Sequence, residues 1–214
     1  FRATYATFAL AILVGVYLVW VGGLPIVVVG LASVAAGLLY TGGPYPYGYY
    51  GLGDAFVFVF FGVVAVTGTY YVQAASSVAG VPLWIPPGTV TVEALVASLP
   101  MAALVTNILV VNNVRDIEND RTAGKYTLAV YLGYAGSRVE FLALLALAYA
   151  VPFWFLASGY GYPVLLPLVS LPLAAALTRT VLTETAGDAL NPALSRAGQL
   201  AALYAVLFAV GLAL

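Results

Sequence analysis

Residues 4–41 read TYATFALAILVGVYLVWVGGLPIVVVGLASVAAGLLYT, two apolar runs without a charged residue that meet at Gly22 and Gly23. A helix needs about 20 mostly apolar residues to cross a membrane, and backbone polar groups in lipid must find partners within the protein. Only helices or a closed barrel meet that requirement, and the strands of a barrel would alternate apolar with polar residues. The uninterrupted runs therefore predict an all-α, polytopic transmembrane helical bundle.

The composition of the whole chain agrees with a membrane protein. The 214 residues are 64% hydrophobic and 7% charged, whereas soluble domains carry about 25% charged residues. The absence of cysteine and histidine excludes thiol nucleophiles, disulfides, zinc sites of the Cys/His type and imidazole acid–base chemistry. A formal net charge of −1 gives no basic surface for nucleic acid. We therefore expect membrane lipid as the surroundings, no nucleic-acid partner and no obligate protein partner.

Seven hydrophobic segments can be assigned along the chain, separated by glycine and proline clusters. They are residues 4–21, 24–41, 54–79, 92–114, 138–157, 162–183 and 193–214. If consecutive segments alternate in direction, every cation falls on the side of Phe1: Arg2, Arg115, Arg121, Lys125, Arg138, Arg179 and Arg196. Cytoplasmic loops collect Lys and Arg, so this side is expected to face the cytoplasm of a prokaryotic cell, with the C-terminus outside.

Three carboxylates lie close together after the fourth segment, in the stretch NNVRDIENDRTAGK at residues 112–125. If the helix continues through it, Asn112, Asp116 and Asp120 share one face, with ~5–6 Å between the Cβ atoms of successive members. Mg²⁺ prefers such oxygen ligands and commonly bridges carboxylates to substrate phosphates. The neighbouring cations are suited to phosphate oxygens. The alternative is a charged cytoplasmic loop whose side chains are simply solvated.

The same stretch, extended to NNVRDIENDRTAGKYTLAVYLG at residues 112–133, resembles the second aspartate motif of the UbiA superfamily of intramembrane prenyltransferases. It is most similar to the branch that prenylates 1,4-dihydroxy-2-naphthoate in menaquinone biosynthesis. A second block, YTGGPYPYGYYGLGDAFVFVFFGVVAVTGTYYVQ at residues 40–73, resembles that branch's Tyr/Gly loop and the helix after it. Two blocks in the family's order make the resemblance specific.

The resemblance implies roles for individual residues. Asp116 and Asp120, with Asn112, would bind Mg²⁺, and these aspartates and Lys125 would be the catalytic residues. The other matches would bind substrate, together with Lys125: Asn113, Arg115, Arg121 and Asp54. Tyr47 and Gln73 are further substrate-binding candidates on their own chemistry, an aromatic ring in the Tyr/Gly loop and a polar side chain within an apolar segment. Three of these have structural alternatives. Asp54 precedes an apolar run and could be a helix N-cap. Tyr47 belongs to a tyrosine cluster typical of membrane interfaces, and Gln73 could make a helix–helix contact.

The implied reaction is the Mg²⁺-dependent transfer of a polyprenyl group from polyprenyl diphosphate to an aromatic acceptor, 1,4-dihydroxy-2-naphthoate, with loss of its carboxyl group and release of diphosphate. Other acceptors of the superfamily, namely 4-hydroxybenzoate, a chlorin, a haem or a glycerol phosphate lipid, stay open. A cation-coupled transporter and a membrane subunit without chemistry are the alternatives from other classes.

The resemblance covers residues 1–214 as a single prenyltransferase domain, about seven of the family's nine helices. The family's first two helices carry an earlier aspartate motif, whereas the first acidic residue here is Asp54. We therefore expect the two N-terminal helices with the first motif to be absent from this sequence.

Overall fold

The computed structural model describes the backbone of residues 2–214 and the side chains of residues 6, 7 and 9–214. Within that part of the chain, six helices are long and apolar enough to cross a membrane, and no strand is present. We number these helices α1 (Arg2–Thr41), α2 (Gly53–Ala75), α3 (Val92–Thr122), α4 (Leu128–Ala157), α5 (Tyr162–Thr183) and α6 (Gly187–Ala213). The predicted all-α transmembrane bundle is confirmed. The side chain of Arg2, one of the seven cations counted above, lies outside the described residues.

The first two predicted segments are joined in α1, which explains why seven segments form six helices. The junction is broken at Gly23, whose φ is +65°, a value that glycine adopts without strain. Leu24 donates its backbone N–H to the carbonyl oxygen of Pro82 at 2.9 Å. A Cβ atom at Gly23 would collide with the backbone of Pro82. The glycine pair therefore marks a real break, stabilised by the loop between α2 and α3.

The second helix contains a π-helical stretch, Phe58–Val64. Such stretches are rare and occur often at functional sites. Gly62 lies within it, and a Cβ atom there would overlap Ala102 of α3. The missing side chain therefore allows α2 and α3 to approach closely, as small residues commonly do in membrane helix pairs.

The core of the bundle surrounds α3, which packs against α2, α4 and α6. Fully buried side chains from α3, α4 and α6 meet there, among them Val111, Phe141 and Leu200. The buried hydroxyl of Tyr204 donates to the carbonyl oxygen of Ala148 at 2.6 Å. By contrast, α1 exposes large apolar side chains over most of its length. Exposed apolar surface on spanning helices is expected where lipid is the solvent.

Two predicted helix starts were wrong by several residues. The helix predicted from Arg138 begins at Leu128 and is interrupted at Gly133, where φ is +64°. The helix predicted from Ala193 begins at Gly187. The additional residues of α6, GDALNP at 187–192, include Asp188 and Asn191, and Asp188 in the first turn favours that helix terminus electrostatically. The additional residues of α4, LAVYLGYAGS at 128–137, are mainly apolar and are interrupted by Gly133 and Gly136.

Candidate active site

The acidic residues of the stretch at residues 112–125 lie at the C-terminal end of α3. The helix continues to Thr122, which confirms the expectation that Asn112, Asp116 and Asp120 follow one another on one helical face. Asn113 is buried, and its amide oxygen has no hydrogen-bond partner within the described structure. The end of α3 therefore presents the amide oxygen of Asn112 and the carboxylates of Asp116 and Asp120 at intervals of one helical turn.

Arg115 holds these groups in a fixed arrangement. Its Nε and Nη2 atoms donate to the two carboxylate oxygens of Asp116 at 2.8 and 2.6 Å. Nη2 also donates to Oδ1 of Asn112 at 3.0 Å, and Nη1 donates to Oδ1 of Asn191 in α6 at 3.0 Å. A planar guanidinium is the side chain suited to such a fork. The arginine therefore connects the acidic face of α3 to α6.

Lys125 is placed by the way α3 ends. Gly124 adopts φ +70°, and the N–H groups of Gly124 and Lys125 donate to the carbonyl oxygens of Arg121 and Asp120 at 3.2 and 2.8 Å. These two bonds are those of a Schellman motif, in which glycine occupies the left-handed position. The turn brings the Nζ atom of Lys125 to 3.2 Å from both carboxylate oxygens of Asp120. The spacing of Asp120, Gly124 and Lys125 thus has a structural reason.

Arg121 lies on a different face of the helix end. It pairs with Glu118 at 3.0 Å, and the two side chains are 50% and 64% exposed. By comparison, the side chains of Lys125 and Asp120 are 24% and 13% exposed. The structure therefore does not bring Arg121 together with the Asp116 and Asp120 carboxylates, and its assignment to the diphosphate stays a prediction.

The Tyr/Gly loop at the start of the 40–73 block packs against the turn that carries Lys125. Tyr126 donates its backbone N–H to the carbonyl oxygen of Tyr49 at 3.0 Å. Gly51, with φ +75°, lies against the ring of Tyr131, and a Cβ atom there would be 3.0 Å from that ring. The loop before α2 and the loop after α3 are therefore in direct contact. Two stretches about 70 residues apart in sequence form one region of the molecule.

Asp54 lies in this contact region and is 4% exposed. The N-cap alternative was wrong: the N-cap of α2 is Leu52, and Asp54 is already inside the first turn. Among the residues that the structure describes, its buried carboxylate oxygens have no hydrogen-bond partner beyond the N–H of the same residue. Burial of an unpaired carboxylate is costly. The ammonium of Lys125 is within electrostatic range of both Asp54 and Asp116, so it offsets part of that cost.

Tyr47 is held between α1 and α2. Its hydroxyl donates to the carbonyl oxygen of Ala36 at 2.8 Å. Its ring stacks on Phe56, with 3.8 Å between the ring centroids. Burial raises the pKa of Tyr47, and neighbouring Tyr40 adds to the rise, so the hydroxyl remains a hydrogen-bond donor at neutral pH. Tyr47 and Gly53 line an apolar cavity of about 490 Å³ between α1 and α2.

Gln73, the last residue of the 40–73 block, lies far from the Tyr/Gly loop at the start of that block and from the stretch at residues 112–125. It follows Asp54 by 19 residues of helix, which corresponds to about 28 Å along α2. Its side chain is exposed and lines a second cavity of about 700 Å³. The structure therefore does not bring Gln73 together with Asp116, Asp120 or Lys125.

Two residues of the region were not predicted. Asn191 bonds to Arg115 from another helix, and no local sequence pattern indicates that contact. Glu140 in α4 is within electrostatic range of Asp54. An acidic residue inside an otherwise apolar spanning segment is a signal that could have identified Glu140.

The donor set fits Mg²⁺ only in one binding mode. Among the described residues, no group of three acidic, His or Cys side chains converges on one point. Asp116 and Asp120 nevertheless offer four oxygens one helical turn apart. Mg²⁺ is usually bound by one or two carboxylates together with phosphates and waters. The residues therefore fit an ion shared with a phosphorylated substrate rather than one enclosed by protein.

Comparison with known proteins identifies the family. The sequence model of the UbiA prenyltransferase family matches residues 1–195. The chain belongs to the UbiA prenyltransferase family. Together with six helices of spanning length, membership of this family makes the protein an integral membrane protein. No solved protein structure matches the chain significantly.

Members of the family with curated names resemble the chain over most of its length. The 1,4-dihydroxy-2-naphthoate octaprenyltransferase of Mycobacterium tuberculosis is 37% identical over 211 residues, which are 99% of this chain and 67% of the relative. The Escherichia coli protein of the same name is 36% identical over 189 residues, 86% of this chain and 56% of the relative. The human UbiA prenyltransferase domain-containing protein 1 is 32% identical over 182 residues, which are 85% of this chain and 48% of the relative. The chain thus spans about half to two thirds of these relatives.

Proposed function

We propose that the protein transfers a polyprenyl group from polyprenyl diphosphate to 1,4-dihydroxy-2-naphthoate, as a step of menaquinone biosynthesis. The observation that carries the proposal is the contact of the two motif blocks around Lys125, which gathers Asp54, Asp116 and Asp120. The names of the bacterial relatives support the choice of acceptor.

In this reaction the bond between the allylic carbon and the diphosphate oxygen breaks, and a ring carbon of the acceptor bonds to the allylic carbon. The acceptor's carboxyl group leaves as CO₂, and its bonding electrons restore the aromatic ring. Asp116 and Asp120, with Asn112, would hold Mg²⁺, which when bound neutralises the charge of the leaving diphosphate. Arg115 and Lys125 would bind the remaining diphosphate oxygens, Arg115 in fork geometry and Lys125 as a point charge.

The residues around the site would exclude water from the reacting carbon. The cavity next to Tyr47 is lined almost entirely by apolar side chains, which suit the isoprenoid tail. A dry environment protects an allylic cation from water. We further propose that the site faces the cytoplasm and that the C-terminus is outside, because Arg115, Arg138 and Arg196 all bond to residues 180–191 around the α5–α6 connection.

The test uses membranes that contain the complete gene product and measures prenylated naphthoquinol formed from octaprenyl diphosphate. We expect transfer with Mg²⁺, none with EDTA, and preference for 1,4-dihydroxy-2-naphthoate over 4-hydroxybenzoate. Asp116→Asn should lower turnover at least about 100-fold, since a metal ion contributes several kcal/mol of charge stabilisation. Asp188→Asn, a carboxylate exposed at the start of α6, is the matched control and should remain active. Near-normal turnover of Asp116→Asn would leave only the solvated-loop interpretation.

A further inference from the structure

Two apolar cavities lie end to end along α2. The first, of about 490 Å³, begins at Tyr47 and Gly53 beside the motif region. The second, of about 700 Å³, extends to Val72 and Gln73. Ser33, Phe60 and Ala65 line both cavities. The two spaces are therefore neighbours that share a wall and lead away from Lys125.

Hydroxyl groups on the shared and distal walls are already satisfied. Ser33 donates to the carbonyl oxygen of Val29 at 2.8 Å, and Thr69 donates to that of Ala65 at 2.7 Å. Such bonds to the preceding helical turn leave no free hydroxyl hydrogen for a ligand. Between Tyr47 and Gln73 the surface therefore suits a hydrocarbon chain and does not suit a polar aromatic acceptor.

The break in α1 lies beside the far cavity, which is lined by residues on both sides of the break, among them Val19 and Ile26. Tyr71, which is 3% exposed, donates its hydroxyl to the carbonyl oxygen of Gly22 at 2.7 Å. Gly23 lies against Pro82 at the same level. These contacts join α1, α2 and the following loop at the end of the cavity distant from Asp54. The relative position of α1 and α2 beside this cavity is therefore fixed by direct contacts.

Glycines make the far cavity wide. A Cβ atom added at Gly68 of α2 or at Gly30 of α1 would have no heavy atom of the described residues within 4 Å. Both residues line the second cavity and neither lines the first. Gly68 follows Asp54 by 14 residues, about 21 Å along the helix. A side chain at either position would therefore narrow the far cavity and leave the near one open.

We propose that the isoprenoid tail of the donor runs from the near cavity into the far one, and that Gly68 and Gly30 determine the longest tail that fits. This inference rests on the proposed function. The near cavity takes the first isoprene units of every donor. Only long tails extend past Phe60 to Gly68 and Gly30. These two glycines therefore discriminate between tail lengths at a position remote from the reacting carbon.

The experiment compares kcat/KM for farnesyl and octaprenyl diphosphates, with 1,4-dihydroxy-2-naphthoate, in membranes that contain the complete gene product. Gly68→Leu should lower the octaprenyl-to-farnesyl ratio about tenfold or more, as expected when extra methylene groups obstruct an apolar pocket. Gly198→Leu is the matched control, because Gly198 is also a partly exposed helical glycine with no heavy atom within 4 Å of its Cβ position. Its ratio should match that of the wild type.

Gly30→Leu obstructs the same cavity from α1 and should lower the ratio in the same direction, which keeps the test decisive if Gly68→Leu does not accumulate. Turnover of farnesyl diphosphate reports that each variant is folded. An unchanged ratio in both cavity variants would overturn the proposal and would mean that the far cavity holds a bilayer lipid or nothing. Failure of the wild type to prenylate 1,4-dihydroxy-2-naphthoate with either donor would instead contradict the proposed function.

Discussion

Replacement of Gly124 by alanine tests whether the end of α3 positions Lys125 for the reaction. Gly124 has φ +70°, and no heavy atom lies within 4 Å of a Cβ atom built there. The substitution therefore causes no collision, and its cost is backbone strain of roughly 1–2 kcal/mol. Alanine can remain in the left-handed conformation at that cost. Otherwise the backbone at residue 124 leaves the left-handed conformation, and the two backbone hydrogen bonds of 2.8 and 3.2 Å that close the turn are lost.

Only the second response displaces the Lys125 ammonium from its position 3.2 Å from Asp120, and we expect that response because Gly124 is exposed and the turn can relax into solvent. If all the strain is released by displacing Lys125, kcat/KM for the prenyl diphosphate falls by roughly fivefold to thirtyfold, since each 1.36 kcal/mol is a factor of ten. The assay is the initial rate of prenyl transfer in membranes, normalised to the amount of protein. Gly124→Asn should recover part of the activity, because asparagine tolerates positive φ better than alanine.

The matched control is Gly88→Ala in the loop between α2 and α3. Gly88 has φ +81° and equally open surroundings, so the strain is similar. Both alanine variants should lose a similar amount of thermal stability, but only Gly124→Ala should lose activity. Wild-type activity of Gly124→Ala, or an equal loss of activity in Gly88→Ala, would refute the proposed link between the turn and Lys125.

Two further predictions concern the arginine fork and the topology. Arg115→Lys keeps the charge but gives up most of the four hydrogen bonds of Arg115. Because the site is partly exposed, we expect the transition state to lose about 2 kcal/mol of stabilisation, which lowers kcat/KM roughly thirtyfold. Arg196→Lys, which gives up one bond of 3.4 Å to Thr180, should stay within about twofold, and equal losses in the two variants would contradict a specific role. The chain has no cysteine, so a cysteine at Gly88 should react with an impermeant reagent added outside and one at Thr122 should not; the reverse labelling would contradict the proposed orientation.

The spanning helices were predictable because their signal is local. A run of apolar residues without charge specifies a lipid-buried helix by itself, and the glycine pair at residues 22 and 23 marked the break in α1. The helical face of Asp116 and Asp120 was predictable for the same reason, since the spacing of the residues and the period of the helix fix it. The helix starts at Leu128 and Gly187 were not, because two glycines lie in the first turns of α4 and polar residues begin α6.

The partners of the site residues depend on tertiary packing. Asn191 reaches Arg115 only because α6 packs against α3. The wrong N-cap assignment of Asp54 has a similar cause. Phe56 donates its N–H to the carbonyl oxygen of Leu52 at 3.1 Å, so α2 starts before the aspartate. A carboxylate in front of an apolar run usually indicates a cap, but here the loop conformation fixes the helix start and leaves Asp54 buried.

The pairing of each aspartate with its own cation lowers the cost of placing two carboxylates one helical turn apart. Two unpaired carboxylates one turn apart, at the end of a spanning helix, would repel each other and be costly to ionise. Arg115 neutralises Asp116, and Lys125 neutralises Asp120. An arriving diphosphate offers the same two cations stronger acceptor oxygens. We therefore propose that Arg115 and Lys125 exchange partners, from carboxylate to phosphate, when the donor binds. That exchange leaves Asp116 and Asp120 as the oxygen ligands that Mg²⁺ prefers, so binding of the metal ion and binding of the diphosphate favour each other.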